Sequence, residues 1–423
     1  MSTKRRMVHK NPRRTSHRTP PDWAHQIFVA ARSAGKPSVQ EDSERLNQEM
    51  WDLTTLVRRA LDTGTDKYVL RALEDLEEAH LEDAAHMVAF CADDATSTFP
   101  VMMKTTGGGE ASAGEMTLFL VPVVLVMDGG YTVPLSLPDG PVKGGQSLLD
   151  QCVTSLRRHG RVGPGPTVVA IPDLYKYADL PMTWSGQLGV LRQCVAAISG
   201  QPARLPRIQP KEAEDRPTMV LRFLFFAVVS TWDDPDVGPL LEEAEDGEEI
   251  SPHTDPRWLA WQEELGQALT SGLPGVLSAR VGIPDSWDEA IHDGIDMRNI
   301  AGLVAAVMPR EKQGALAATQ VAMGLYQIDS GMDIRIGITQ DGRFLNGFAW
   351  TCHRSPEEDL EDAIETLKSL GIPAQQIHVV DDILGDERCS DCGKPLFPSV
   401  DGESQHEPQD RATWSGPGYS RLH

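Results

Sequence analysis

The chain has 423 residues, of which 40% are hydrophobic, and a formal net charge of −23 at pH 7. At roughly 150 residues per domain, this length predicts two or three folded units with sizeable cores. The composition therefore excludes a disulfide-stapled miniprotein and a wholly disordered chain. Six cysteines, four of them scattered, do not form a disulfide framework.

The first residues form a basic arm on an acidic chain. Residues 1–18 contain seven Lys and Arg residues and no acid, which leaves −30 on the remainder. Because the arm lacks apolar spacing, we expect residues 1–20 to be disordered. An arm of this charge could contact nucleic-acid phosphates at residues 1–18, and a solubilising tail explains it equally well.

The sequence predicts a cytoplasmic protein with no membrane partner. No apolar stretch follows the basic arm, as a secretory signal would require. The longest apolar stretches, 117–127 and 220–229, are about ten residues each, against roughly twenty for a membrane-spanning helix. We interpret both as buried strands.

Residues 21–95 have a helical pattern. Asp22 is a candidate cap for a first helix, and a second helix is expected from Ser38 or Asp42 to Leu61. A third, single helix is expected from about Asp66 to Cys91. Such apolar stripes are far more often packing faces than partner-binding grooves.

From residue 96 onward the pattern indicates an α+β fold with about three diverged β-β-α-β units, at 96–216, 217–310 and 311–388. The first is expected to contain strands at 99–105, 116–127 and 131–137, a helix at 147–159 and a strand at 167–171. The second has a strand at 219–231, a helix at 254–269 and a strand at 276–283. The third has strands at 333–339 and 344–352, a helix that begins at Ser355 and a strand at 377–383. Further helices at 187–199 and 286–307 would follow the first two units. Chance recurrence of common turns is the alternative to repetition.

No motif in the chain fixes a reaction. It has no P-loop, no His-Glu-x-x-His motif, no Gly-x-Ser-x-Gly elbow and no Rossmann glycine pattern. Asp173 and Asp285, each after a proline, could be matched catalytic acids, but turn formation explains both. The acidic run at 233–250 is expected to be a solvated loop.

The one site-like signal lies in the C-terminal segment, 389–423. Cys389 and Cys392 are followed by Gly393, a pattern typical of a structural zinc knuckle. Zinc requires four ligands, so His406, Cys352, His353 or a second subunit of a homo-oligomer would have to complete the site. Free thiols and a redox pair are the alternatives, and the absence of a following helical pattern argues against the redox pair.

Several short motifs resemble an uncharacterised proteobacterial family, domain of unknown function 2863. They are Asp42-Ser43-Glu44-Arg45-Leu46 with Trp51, the helical stretch 61–76, and the ending from Cys389 to Pro398 followed by Asp401-Gly402-Glu403. The resemblance covers about residues 38–407. It implies an order of elements and a cysteine-bearing tail but no activity and no catalytic residue.

These features favour a non-enzymatic binding or regulatory protein of bacterial type with a structural zinc half-site. The alternative is an enzyme of unassigned reaction type, with a pocket between repeat units near Asp173 and Asp285.

Overall fold

The computed structural model describes most of the chain in twelve stretches. They are residues 22–34, 43–103, 112–128, 131–138, 146–159, 167–198, 219–231, 255–311, 318–329, 331–390, 393–402 and 404–406. Several stretches discussed above lie outside these ranges: the basic arm, the acidic run at 233–250, Cys392 and residues 407–423. The chain divides into two compact units, Met1–Ala95 and Thr96–His423.

The first unit is helical, as expected. It contains α1 (Trp23–Ala34), α2 (Ser43–Leu61), α3 (Lys67–Glu78) and α4 (Glu82–Ser97). Asp22 caps α1 by accepting a hydrogen bond from the His25 N–H at 3.2 Å. One apolar side of each helix is fully buried, with core residues that include Ile27, Val57, Val69 and Val88.

The prediction of one helix from Asp66 to Cys91 is wrong. The chain leaves the helix at Ala79, and His80 takes a positive φ of 55°. The N–H of Leu81 then donates to the Leu76 carbonyl and that of His80 to the Glu77 carbonyl. This is the hydrogen-bond pattern that ends many helices, here with histidine where glycine is usual. No glycine or proline marked the break in the sequence.

The second unit begins with a five-stranded antiparallel sheet. Its strands are β1 (Thr98–Met103), β2 (Ser112–Met127), β3 (Thr167–Ala170), β4 (Met219–Thr231) and β5 (Val276–Val281). β2 pairs with β4 along one side, and β1 and β5 share its other side. β3 pairs with the far side of β4. The strand order β5-β2-β4-β3 is that of a split β-α-β arrangement.

Helices cover both faces of this sheet. On one face lie α5 (Leu148–Arg158) and α7 (Pro256–Gly272). Two residues of α7, Trp258 and Trp261, are fully buried against alternate residues of β2. α6 (Trp184–Ile198) follows β3. On the opposite face lies α8 (Trp287–Glu311), with Gly294 against Pro122 and Phe223.

A second sheet has the order β8-β7-β6-β9. Its strands are β6 (Thr319–Ile328), β7 (Gly331–Gln340), β8 (Arg343–Thr351) and β9 (Ile377–Gly385), and only β9 runs parallel to its neighbour. α8 and α9 (Pro356–Ser369) cover one face of this sheet. The short strands β10 (Phe397–Pro398) and β11 (Ser404–Gln405) form a hairpin, in which Phe397 is buried against Gly347. Because α8 packs on the first sheet as well as on the second, it contacts both sheets.

The mixed α+β class is confirmed, and two further details differ from the prediction. The expected strand at 131–137 is wrong, because only Ser136 forms a bridge, to Asp173. β6 was not predicted, and it supplies the pairing partner of β9. The repetition of a β-β-α-β unit stays a prediction, and the segments that correspond to it are β2-α5-β3, β4-α7-β5 and β8-α9-β9. The first two segments share one sheet.

None of the helices in the described ranges combines the length and apolar composition needed to cross a lipid bilayer.

Candidate functional site

A cavity of about 440 Å³ lies in the second unit, beside the N-terminal part of α8. The β6-β7 turn and the end of β8 form further walls, and Tyr177 and Met182 come from the segment that precedes α6. This volume lies within the usual range for small-molecule sites. Its position follows from α8, because this helix begins on the first sheet and ends on the second.

The cavity combines acidic and apolar side chains. Asp288, Asp329 and Asp333 contribute carboxylates, and Ile291 and Met332 are among the apolar residues. Within the part of the chain that the structure describes, no cation pairs with Asp288 or Asp329. Asp333 lies near Arg298; burial lowers the pKa of this guanidinium, and Asp333 partly offsets the effect.

The residues that follow β8 form the inner wall of the cavity. Capping of α9 fixes this loop, because Ser355 and Glu358 form a reciprocal capping box. One carboxylate oxygen of Asp359, Oδ2, accepts hydrogen bonds from the backbone N–H groups of His353 and Arg354 at 2.9 and 3.0 Å. The position of His353 therefore follows from the start of the next helix.

His353 lies between two carboxylates. Its Nε2 is 3.6 Å from Asp296 Oδ1, and its Nδ1 is 3.6 Å from Asp359 Oδ1. The His353 side chain is only 6% exposed and that of Asp359 is fully buried. The ring of His292 lies beside that of His353, with 5.1 Å between centroids.

These carboxylates change the acidity of the imidazole. Burial alone lowers the pKa of His353, because it disfavours the charged form. Asp296 and Asp359 act in the opposite direction and outweigh burial and the nearby Arg354, so the pKa lies above its ordinary value.

Arg354 lies at the edge of the same cluster. Its Nη2 is 3.1 Å from Asp296 Oδ1, 2.6 Å from Asp362 Oδ2 and 3.8 Å from Asp359 Oδ1. The Arg354 side chain is 38% exposed. A resident cation therefore balances part of the negative charge of the cluster.

The structure places two of the residues that sequence analysis singled out, Cys352 and His353, in the wall of the cavity. Burial, together with Asp359 and Asp333, raises the pKa of Cys352 to about 12, so the group is a neutral thiol near neutral pH. Among the described residues, Asp296, His353 and Asp359 are the one group of three or more His, Cys, Asp or Glu that could hold a metal ion.

Cys389 lies in a tight turn of the C-terminal segment. Its N–H donates to the Lys394 carbonyl and its carbonyl accepts from the Gly393 N–H, both at 2.8 Å. Gly393 has a φ of +69°, which favours glycine. Cys392 lies outside the described residues, and His406 follows β11.

Asp173 and Asp285 do not line this cavity. The Asp173 carboxylate accepts a hydrogen bond from the Tyr175 hydroxyl at 3.0 Å, and Asp285 Oδ1 accepts from the Ser286 N–H at 2.7 Å. Both carboxylates thus make contacts within their own turns, as turn formers do.

Sequence analysis missed Asp296 and Asp359. Asp359 belongs to the acidic first turn of α9, which was interpreted only as a helix start. Asp288, His292 and Asp296 follow one another at intervals of four residues on α8. This spacing places all three residues on one side of the helix, and it is the sequence pattern that could have indicated Asp296.

Comparison with known proteins identifies a protein family of unknown function. The family described as a protein of unknown function, DUF2863, matches residues 24–413. No curated protein and no solved structure matches the chain. The match covers nearly all of both units and confirms the resemblance that the terminal motifs indicated. The chain belongs to the DUF2863 family.

Proposed function

We propose that this protein is a non-enzymatic binding protein whose cavity takes a small, positively charged ligand. The observation that carries the proposal is the pair of exposed carboxylates, Asp288 and Asp329, at a cavity of about 440 Å³. No cation in the described part of the chain pairs with either of them. Carboxylates that converge on a cavity favour a ligand of opposite charge.

The apolar side chains narrow the choice of ligand. Ile291, Ile295 and Met332 give the cavity walls on which a short hydrocarbon stem could lie. The Tyr177 ring and the two histidines add flat polar surfaces. An organic amine of a few carbons, or a metal ion bound at the inner wall, has the charge and size that these walls favour.

Binding of charge-matched probes tests the proposal. We expect 1,4-diaminobutane or Mn²⁺ to bind the full chain in isothermal titration calorimetry, and succinate, a dicarboxylate of the same length, not to bind. Because exposed ion pairs contribute about 0.2–1 kcal/mol each, the double variant Asp288→Asn/Asp329→Asn should weaken binding of the diamine roughly twofold to thirtyfold. Glu289→Gln makes the same kind of charge change on α8 at a residue that does not line the cavity.

Two results would contradict the proposal. One is the absence of binding by both cations, and the other is equal binding of succinate and the diamine. An unchanged affinity for the diamine in the double variant would show that the diamine binds elsewhere.

The alternative function is an enzyme that acts in the same cavity. His353 favours it, because an imidazole between two carboxylates is a candidate proton donor and acceptor. The two functions differ in the fate of the ligand. A binding protein releases its ligand chemically unchanged, which mass spectrometry of the recovered ligand would determine.

A structural zinc ion at Cys389 and Cys392 is a separate proposal. It is supported by the tight turn at Cys389, in which Gly393 adopts a positive φ. Metal analysis of the purified chain should find about one zinc per chain that is lost in Cys392→Ala. A wild-type chain that folds normally without zinc would contradict it.

A further inference from the structure

We propose that Asp296, His353 and Asp359 bind a divalent first-row transition-metal ion at the inner wall of the cavity. This inference rests on the cation-binding function proposed above and names the class of cation for one part of that site. The three residues come from the middle of α8, the loop after β8 and the first turn of α9.

The geometry brings one ligand atom from each residue together. A nitrogen of His353 and one carboxylate oxygen from each aspartate all lie within 4.8 Å of one another. The two aspartates approach the imidazole from opposite sides, each at 3.6 Å. Small side-chain movements would bring these atoms to the distances of about 2.0–2.2 Å that nitrogen and oxygen ligands take around such an ion.

Unsatisfied polar atoms provide a second, independent observation. The His353 side chain is 6% exposed, and the described residues offer its ring nitrogens no hydrogen-bond partner closer than the two carboxylate oxygens at 3.6 Å. Asp359 is fully buried, and within the described part of the chain its Oδ1 likewise accepts no hydrogen bond. Buried polar groups without partners are rare and costly in native proteins, and a role as ligands of an ion is one explanation. A bound ion would coordinate one of the two ring nitrogens together with this carboxylate oxygen, and the other ring nitrogen would keep its proton.

The second oxygen of Asp359 is already held in place. Oδ2 accepts the two backbone N–H groups at the start of the α9 capping structure, which leaves Oδ1 directed at His353. Metal-ligating carboxylates are commonly held by such hydrogen bonds, which orient them before the ion arrives. The loop that positions His353 therefore also orients the buried carboxylate.

The ligand set selects the kind of ion. One imidazole nitrogen and two carboxylate oxygens suit Mn²⁺, Fe²⁺, Co²⁺ or Zn²⁺ better than Ca²⁺ or Mg²⁺, which prefer oxygen ligands alone. Cys352 is not part of the group of three residues whose ligand atoms lie together. Three protein ligands leave coordination positions open, and His353 lines the cavity. A small molecule in the cavity could therefore reach the ion.

Arg354 would compete with the ion. Its guanidinium lies 3.1 Å from Asp296 and 3.8 Å from Asp359. It therefore already neutralises part of the negative charge that a bound ion would neutralise. Because this side chain is 38% exposed, it can move toward solvent without disturbing the core. A simple network of ion pairs, with Arg354 as its permanent cation, is the competing explanation.

Mn²⁺ binding to the full chain tests the proposal, with free Mn²⁺ measured by electron paramagnetic resonance. Mn²⁺ prefers oxygen and nitrogen ligands, so the thiolates of Cys389 and Cys392 should not retain it. We expect one Mn²⁺ per wild-type chain and at least roughly tenfold weaker binding in Asp296→Asn, which loses a ligand. Glu289→Gln, on the same helix and outside the cluster, should bind as the wild type does. Circular dichroism and thermal unfolding would verify that each variant is folded.

Two further variants distinguish a metal site from a simple network of ion pairs. Arg354→Ala should bind Mn²⁺ more tightly, by roughly twofold to fivefold, because a competing cation that is held only by partly exposed ion pairs is removed. Cys389→Ser/Cys392→Ser should bind it as the wild type does. No Mn²⁺ binding by the wild type, no loss in a folded Asp296→Asn, or no gain in Arg354→Ala would overturn the metal site. If 1,4-diaminobutane still binds in any of these cases, the broader proposal of cation binding stands, and if neither cation binds, both proposals fail.

Discussion

Asp359 is a buried carboxylate with a structural contact that does not depend on any ligand. Its Oδ2 accepts the backbone N–H groups of His353 and Arg354, at 2.9 and 3.0 Å. Replacing it with alanine would leave both donors without this acceptor, and each buried donor without a partner costs about 1–3 kcal/mol. We therefore expect Asp359→Ala to lower the free energy of unfolding by about 2 kcal/mol or more.

Urea unfolding in the presence of a chelator would measure this loss without any metal contribution. Glu357→Ala is the matched control, because Glu357 is an exposed acid in the same first turn of α9. We expect it to change the free energy of unfolding by no more than about 0.5 kcal/mol. Equal effects of the two substitutions would show that the backbone contacts of Asp359 do not stabilise the loop.

A second residue-scale prediction concerns pH and the ion pair of Asp386. Arg335, whose side chain is 2% exposed, donates to Asp386 and to the backbone carbonyls of Glu387 and Leu396. Burial raises the pKa of Asp386, but hydrogen bonds from Arg388 and Arg335 outweigh it and hold the pKa below the usual 3.8. The folded state therefore favours the charged carboxylate.

The sign of the pH dependence follows from this lowered pKa. The ionised carboxylate stabilises the fold above pH 3.8, and this contribution is lost as the pH falls through the lower pKa of the folded state. Asp386→Asn should thus be less stable than the wild type at neutral pH, with a difference that shrinks in acid. Urea unfolding at neutral pH and in acid would measure this difference in stability. Asp382→Asn, at an exposed position on β9, is the control. A difference that grows in acid would contradict the prediction.

At the scale of elements, α8 determines where the cavity lies, because it packs against both sheets. Gly302 allows the close approach to β8: a Cβ atom at this position would lie 2.1 Å from the Phe348 ring. Such a contact forces the ring or the helix to move. Overpacking of this kind typically costs about 1–3 kcal/mol, so we expect Gly302→Ala to destabilise the second unit by that amount.

Gly189→Ala is a matched control for this prediction. Gly189 also lies inside a helix, α6, but a Cβ atom there would meet no atom of the described residues within 4 Å. Because alanine favours the helix over glycine by about 1 kcal/mol, this variant should be neutral or more stable. Thermal unfolding of both variants would compare them. Stabilisation by Gly302→Ala would mean that α8 lies farther from β8 than the structure places it.

Elements with strong local signals could be predicted from the sequence, and those that depend on distant contacts could not. The start of α9 was predicted, because Ser355, Pro356 and the following acids specify a helix start within one turn. The break between α3 and α4 was not, because His80 carries no local signal for a positive φ. The segment 131–137 alternates as a strand would, but only Ser136 has a bridge partner.

The same distinction holds for the candidate site across the whole chain. Cys352 and His353 were noted from their residue types, and the structure places both at the cavity. Asp296 was not noted, because it lies 57 positions before His353 and reaches it only when α8 packs beside the end of β8. A site assembled from three elements far apart in sequence depends on the tertiary fold, which local pattern does not specify.

The charge of the whole chain leads to a prediction about ionic strength. The net charge of −23 attracts cations toward the protein from a distance, in addition to the contacts within the cavity. Added salt reduces this long-range attraction, since the Debye length falls from about 30 Å at 0.01 M to about 8 Å at 0.15 M. We therefore expect the affinity for 1,4-diaminobutane to fall over this range of salt.

Comparison with the double variant separates the local contribution from the long-range one. Asp288→Asn/Asp329→Asn removes two exposed charges at the cavity and leaves the rest of the acidic surface unchanged. Its affinity should be lower than that of the wild type at both salt concentrations, and it should still decrease with salt. Calorimetric titrations at the two concentrations would measure both effects. An affinity that does not vary with salt in either protein would mean that uncharged contacts hold the diamine, since screening acts on every exposed charge of the chain alike.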